Sequence, residues 1–279
     1  MFKYFPPERI DVLERNLICF SKPDHLNDPY ELSATYNLDP FMDELTNNLS
    51  TVNLIDHLTP EFKGLLSLLK ESEQAKIIAQ SQFILPQLLK VNKEFILQFT
   101  QSKFDDIKSE ICKSIRILCL TEKPDNLLMW THYADSHKGF VIEFDTQSSF
   151  FNQRRSDKDE FGYLRKVKYV EKIPELAPLT SKSIEYWTTK SVEWKYEHEW
   201  RMFLTEGTAS TSITKQDIKY DLYTLPSEAI LSIIIGSKST SKFENEMKNI
   251  LQKNLRYKHI AVKKARKSNE NFQVIIDHL

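Results

Sequence analysis

Three short runs hold most of the residues in this chain that could do chemistry. In "KSVEWKYEHEWR", Lys190 to Arg201, the side chains of Glu197, Glu199 and Arg201 fall two residues apart. On a β-strand that spacing sets all three on one face and His198 and Trp200 on the other. Two carboxylates beside a guanidinium can hold a hydroxyl, carry a proton or stabilise developing positive charge, and the nearby tryptophans suit a sugar or nucleotide. A charge ladder on an edge strand is the other reading. In "HLNDPYE", Asn27, Asp28 and Glu31 surround a proline, with Ser21 just upstream. Asn27 and Asp28 have the short polar side chains that bond back to a turn's own backbone. Glu31 opens the next segment and has no such local explanation.

The third run, "WTHYADSHKG", carries Trp130, His132, Tyr133 and His137. His132 and His137 are five apart, which misses the four-residue spacing of a helical zinc pair, and no HExxH occurs, so no metal is expected. His132 reads either as a buried histidine satisfied by a backbone carbonyl or as a group for ligand contact or acid/base work. A further feature is electrostatic. Lys253 to Lys267 holds seven Lys or Arg and no acid within a chain of net charge -1. Such a stretch can neutralise phosphates on a nucleotide or nucleic-acid substrate, or blunt a sheet edge.

Composition bounds the alternatives. The five glycines are scattered, so neither a dinucleotide fingerprint nor a P-loop is present, which leaves nucleotide binding by other folds. Cys19, Cys112 and Cys119 lack CxxC spacing and lie in or near apolar stretches, as reduced core thiols do. No leader and no apolar run of membrane-spanning length stands out, so a cytoplasmic protein without a membrane partner is expected.

The elements that must position these residues read as follows. "FKYF", the helix "PPERIDVLERN" and "LICF" give strand, helix, strand. From 41 to 114 apolar residues recur three and four apart, a helical insertion with Thr59-Pro60 as a helix start and Pro86 as a kink or division. "IRILCL" returns to strand; "PDNLLMWTHYADSH" is a helix from about Pro124, closed by Gly139 before the strand "FVIEFD". "YLRKVKYV", Glu199 to Leu204, "AILSIIIG", "KHIAVKKA" and "NFQVIID" are further strands, with "SKFENEMKNILQKN" an amphipathic helix. The expectation is an α+β fold: a single mixed β-sheet domain, 1–40 and 115–279, carrying the helical insertion 41–114, which is also the candidate surface for a protein partner.

Together "FSKPDHLNDPYE", "LLMWTHYADSHKGFVIEFD" and "KSVEWKYEHEWR" resemble a bacterial family catalogued as a domain of unknown function, DUF2971. Its pattern is FSxPxxxNDPxE, then WxHYAxxHxGxxxxF, then a lysine followed by WxYExEWR. The resemblance implies a shared site containing Asn27, Asp28, Pro29, Glu31, Trp130, His132, Tyr133, His137, Gly139, Lys190, Glu197, Glu199, Trp200 and Arg201, and implies no particular reaction.

Three readings of that site stay open. The order of residues is similar to that of ADP-ribosyltransferases, which bind NAD without glycine-rich loops: Lys3 and Tyr4 on a first strand, Ser21 after the second, and Glu197-His198-Glu199 late in the chain. Such likeness implies an ADP-ribosyltransferase-like fold and NAD cleavage, as in a toxin or an anti-phage effector. The catalytic residues would be Glu199, Glu197 and His132. Tyr4, Ser21, Asn27, Asp28, Glu31, Trp130, Tyr133 and Arg201 would hold the cofactor. The second reading is a metal-dependent nuclease, with Glu193-Trp194-Lys195 as an ExK and Asp28 and Glu31 as magnesium ligands. The third is a non-enzymatic sensor or interaction module.

Overall fold

The computed structural model describes residues 1–33, 35–36, 43, 47, 59–176 and 186–278. Its strands, in chain order, are β1 (Phe2–Phe5), β2 (Leu17–Phe20), β3 (Thr35–Tyr36), β4 (Ile115–Thr121), β5 (Phe140–Phe144), β6 (Leu164–Lys166), β7 (Lys168–Val170), β8 (Glu175–Leu176), β9 (Thr189–Ser191), β10 (Glu199–Thr205), β11 (Thr211–Lys215), β12 (Ile218–Thr224), β13 (Ile230–Ile235), β14 (Ala261–Lys267) and β15 (Val274–His278). The fold is α+β and divides into two compact units, Met1–Ser33 with Ile111–Ile173 and Ile184–Leu279, and Ala34–Glu110 with Pro174–Ser183.

The first unit is built on a mixed sheet of order β15-β14-β13-β5-β1-β4-β10-β6, in which only β13 and β14 run parallel. Successive residues alternate between its faces, both faces are covered, and the two cores follow that alternation. Phe5, Ile142, Ile233 and Ile235 join a core completed by Phe243, Met247 and Leu251 of the helix Ser241–Lys253. Tyr4, Val141 and Ile234 join a second core with Met129 and Trp130 of the helix Leu127–Tyr133. Asn126 starts that second helix, its Oδ1 accepting the amides of Leu128 and Met129. It is shorter than the sequence suggests, because Asp135, Ser136 and His137 all take positive φ and turn the chain into β5.

A small antiparallel sheet, β11-β12-β2, lies in the same unit. The strand β4 serves both sheets. Along one side it pairs with β10 at seven positions, from Glu199 opposite Thr121 to Thr205 opposite Ile115. On its other side it pairs with β1 only at Phe2 opposite Thr121, and with the end of β2 only through a bridge between Ser21 and Ile117. Between those two contacts β1 and β2 part, and Cys119 has a strand partner in β10 alone among the described pairings.

The second unit holds the helices Pro60–Ser67 and Glu71–Val91, most of the helix Lys93–Ser114, and the parallel pair β3 and β8. Thr59-Pro60 starts a helix as expected, whereas the helix Glu71–Val91 runs through Pro86 without being divided there.

Candidate functional site

Where β1 and β2 part, a cavity of about 270 Å³ opens in the first unit. Residues from both faces of the sheet line it, because the gap passes between strands: Phe2, Tyr4, Cys119 and Thr121 from one side, Lys3 and Leu120 from the other. The wall is completed by Ser21, His25, Leu26, Asn27, Met129 and Tyr133, with Lys190, Glu197 and Glu199 at the charged end.

The strand register explains that charged end. Phe2, Thr121 and Glu199 stand in one row across β1, β4 and β10, and Cys119 stands opposite Arg201 in the next. Glu197 is not on the strand, as the spacing suggested, but in a 3-10 turn, Val192–Glu197. His198 then takes a left-handed conformation, φ 46°, and this kink lets two carboxylates meet that straight alternation would have aligned side by side. The Glu197 carbonyl accepts a bond from the Thr121 hydroxyl, and the Glu199 amide donates to the Tyr169 hydroxyl, which fixes both ends of the kink.

Five charged groups then interlock. Arg201, wholly buried, donates from Nε and Nη2 to the two oxygens of Glu199 at 2.8 and 3.0 Å, and from Nη1 to Glu31 Oε1 at 2.7 Å and the Trp187 carbonyl at 2.9 Å. Lys190 Nζ donates to Glu197 Oε2 at 2.6 Å and Glu199 Oε2 at 3.3 Å, and lies 3.8 Å from Glu31 Oε2. Glu31 Oε2 is buried and accepts no hydrogen bond among the described residues. Glu197 Oε1 accepts from the Tyr133 hydroxyl at 2.5 Å, and Asn27 Nδ2 donates to that same hydroxyl at 2.9 Å.

Three carboxylates thus share two cations, and their protons divide unequally. For Glu199, burial would raise the pKa, but Arg201 and then Lys190 outweigh it and hold the carboxyl at about 2. For Glu197, burial is again the largest influence and it prevails over Lys190, assisted by the like charge of Glu199, so the pKa is raised. Burial would lower the Lys190 pKa, yet Glu199 and Glu197 raise it, and it stays an ammonium. Tyr133 is pushed upward by burial and by Glu197, so it stays a neutral donor. Glu197 is therefore the carboxylate of the pair more ready to take a proton, and Glu199 is a fixed anion.

The turn "HLNDPYE" now has a physical role. Asp28 is buried; its Oδ1 caps the Tyr30 amide at 2.9 Å and its carbonyl accepts from Glu31. That turn aims Glu31 at Arg201 and Asn27 at Tyr133. The Asp28 side chain makes no hydrogen bond or ion pair with the charged side chains of the cluster among the described residues, and Ser21 and Tyr4 reach the cavity wall, the Tyr4 hydroxyl donating to the Lys123 carbonyl. Trp130 is fully buried, its indole bonded to the Pro124 carbonyl and its ring stacked on His137, so it supports the helix and does not line the cavity. His132 is exposed, packs on Tyr133 and is absent from the cavity wall, because it sits on the solvent side of the helix rather than in the core. Lys190, Thr121, Cys119 and Tyr169 had no place among the expected catalytic or binding groups. Only Lys190 carried a usable sequence signal, as the lysine of the third motif; the others are brought in by pairing between distant strands.

Glu193 and Lys195, the ExK pair, are exposed on the 3-10 turn. No cluster of three or more His, Cys, Asp or Glu with metal-binding geometry occurs among the described residues. In the basic stretch Lys253 to Lys267, Lys263 pairs with Glu143, Lys264 with Glu244 and Arg266 with Asp277, so part of its charge is already answered. No described helix is long and apolar enough to cross a membrane.

No curated protein and no solved structure matches the chain. Residues 129–202, which contain most of the helix with Tyr133, the lysine Lys190 and the start of the strand with Glu199 and Arg201, match the model of a family described as protein of unknown function, DUF2971, and over this segment the chain is similar to that family.

Proposed function

We propose that the site cleaves the N-glycosidic bond of NAD, passing ADP-ribose to water or to an acceptor hydroxyl, with Glu197 as the working carboxylate. The observation that carries this reading is the state of Glu197: buried at the cavity wall, its pKa raised, and oriented by Tyr133 and Lys190. Glu199 was the other choice for this role, but both its oxygens are held by Arg201, and it serves instead to fix Lys190 and Arg201.

A cavity of about 270 Å³ is near the small end of ligand pockets, roughly 300–1,000 Å³. It suits a ribose with its base rather than a whole dinucleotide, and the adenylate end would lie outside. Phe2, Tyr4 and Met129 offer apolar surface to a ring, and Asn27 offers an amide. When the C1′–N bond breaks, its electron pair leaves with nicotinamide and positive charge grows at the ribose. An ionised Glu197 beside that centre stabilises the charge and accepts the proton of the attacking water or hydroxyl as the new C1′–O bond forms. Consumption of NAD by such a reaction fits a toxin or an anti-phage effector.

The test is proton NMR of the purified protein with NAD. Wild type should release nicotinamide, with a rate that rises as pH passes upward through the raised Glu197 pKa, and Glu197→Gln should lower it at least about a hundred-fold. NAD left intact by wild type, or cleaved equally by Glu197→Gln, would remove this reading.

A further inference from the structure

Lys3 is the cation of the cavity with no anion of its own. It lies on β1 beside the gap, half-buried, and lines the cavity. Its Nζ donates one hydrogen bond, 3.1 Å, to the Cys119 carbonyl, the group left without a β1 partner where the strands part. The other two N–H donors have no protein acceptor among the described residues. The carboxylate nearest in influence, Glu199, is occupied by Arg201 and Lys190. Burial lowers the Lys3 pKa, as expected of an ammonium removed from water without a counter-charge.

A cation drawn partly out of water without a counter-charge is costly, and a bound anion relieves that cost. From this arrangement we infer that Lys3 forms an anion subsite, at which the cavity receives a phosphoryl group attached to the sugar that Glu197 faces. The inference rests on the proposed reading only for placing a ribosyl group in the cavity. Two free N–H donors on a compact ammonium match the oxygens of one phosphoryl group. The substrate class is thereby narrowed to 5′-phosphorylated ribosyl compounds, and unphosphorylated nucleosides are disfavoured.

The test is calorimetric titration of the full chain with ribose 5-phosphate, ribose and ribonate, none of which requires turnover. Wild type should bind ribose 5-phosphate at least about ten-fold tighter than ribose or ribonate, a difference of about 1.4 kcal/mol. Lys3→Met should lose that preference while melting no lower than wild type, since it removes a half-buried charge that has no counter-charge of its own. Lys195→Met, which deletes an exposed lysine outside the cavity wall, should keep the preference. Equal binding of the sugars by wild type, equal or better binding of ribonate, a preference surviving in Lys3→Met, or one abolished by Lys195→Met would overturn the subsite. Nicotinamide release is read separately: if release fails while the Lys3-dependent preference holds, the reaction is wrong and the subsite stands.

Discussion

Glu197 and Glu199 are two residues apart and chemically opposite. Glu199 gains two partners on one guanidinium, and its carboxyl is held at about 2, well below the ordinary glutamate value of about 4.3. A depressed carboxyl contributes stability that is present above the unfolded-state pKa and is lost as pH falls through the folded one. On that difference Glu199 contributes on the order of 3 kcal/mol at neutral pH, lost between about pH 4 and pH 2. Glu197 acts with the reverse sign: its raised pKa makes ionisation unfavourable to the fold, and protonation relieves it. Denaturant unfolding followed by circular dichroism should show Glu199→Gln less stable than wild type above about pH 5, the gap closing toward pH 2. A gap that does not change with pH would mean that Glu199 is held by packing rather than by Arg201 and Lys190.

At the scale of elements, the cavity depends on where β1 is placed, and two glycines set that place. A Cβ on Gly139 would stand 2.0 Å from the Phe5 carbonyl oxygen, and one on Gly236 would stand 2.2 Å from the His137 carbonyl oxygen. Both obstacles are backbone, which cannot rotate away. Gly139→Ala and Gly236→Ala should each destabilise the first unit by about 1–3 kcal/mol or more, read as a shift in the urea midpoint with the slope unchanged. The sequence showed some of this arrangement and concealed the rest. The continuous apolar runs of β4, β5 and β13 were legible because both faces of those strands are buried, and the helix Ser241–Lys253 because it buries one regular face. The hairpin of β11 and β12 was not, since its turn uses Gln216 and Asp217 at positive φ without the glycine that marks such turns. Asn27, Glu31, Tyr133, Glu197 and Arg201 were found through motifs. Thr121 and Cys119 were not, because they reach the site through strand pairings whose register no local pattern announces.

At the scale of the molecule, the charges nearly cancel: 38 Lys and Arg against 39 Asp and Glu. A chain with so little net field does not draw anions from a distance, and its densest basic stretch is partly matched by Glu143, Glu244 and Asp277. Attraction for a phosphorylated ligand must then come at short range, from a cation inside the cavity. Salt distinguishes the two cases, because mobile ions screen exposed charges over about 8 Å at physiological strength and reach buried ones much less. The dissociation constant for ribose 5-phosphate should therefore change less than about three-fold between roughly 50 and 500 mM salt. A surface patch contacting phosphate would lose affinity steeply over the same range. A steep loss, together with weaker binding in charge-reversed Lys253 and Lys258, would move the anion site from Lys3 to the basic stretch at the C-terminal end of the fold.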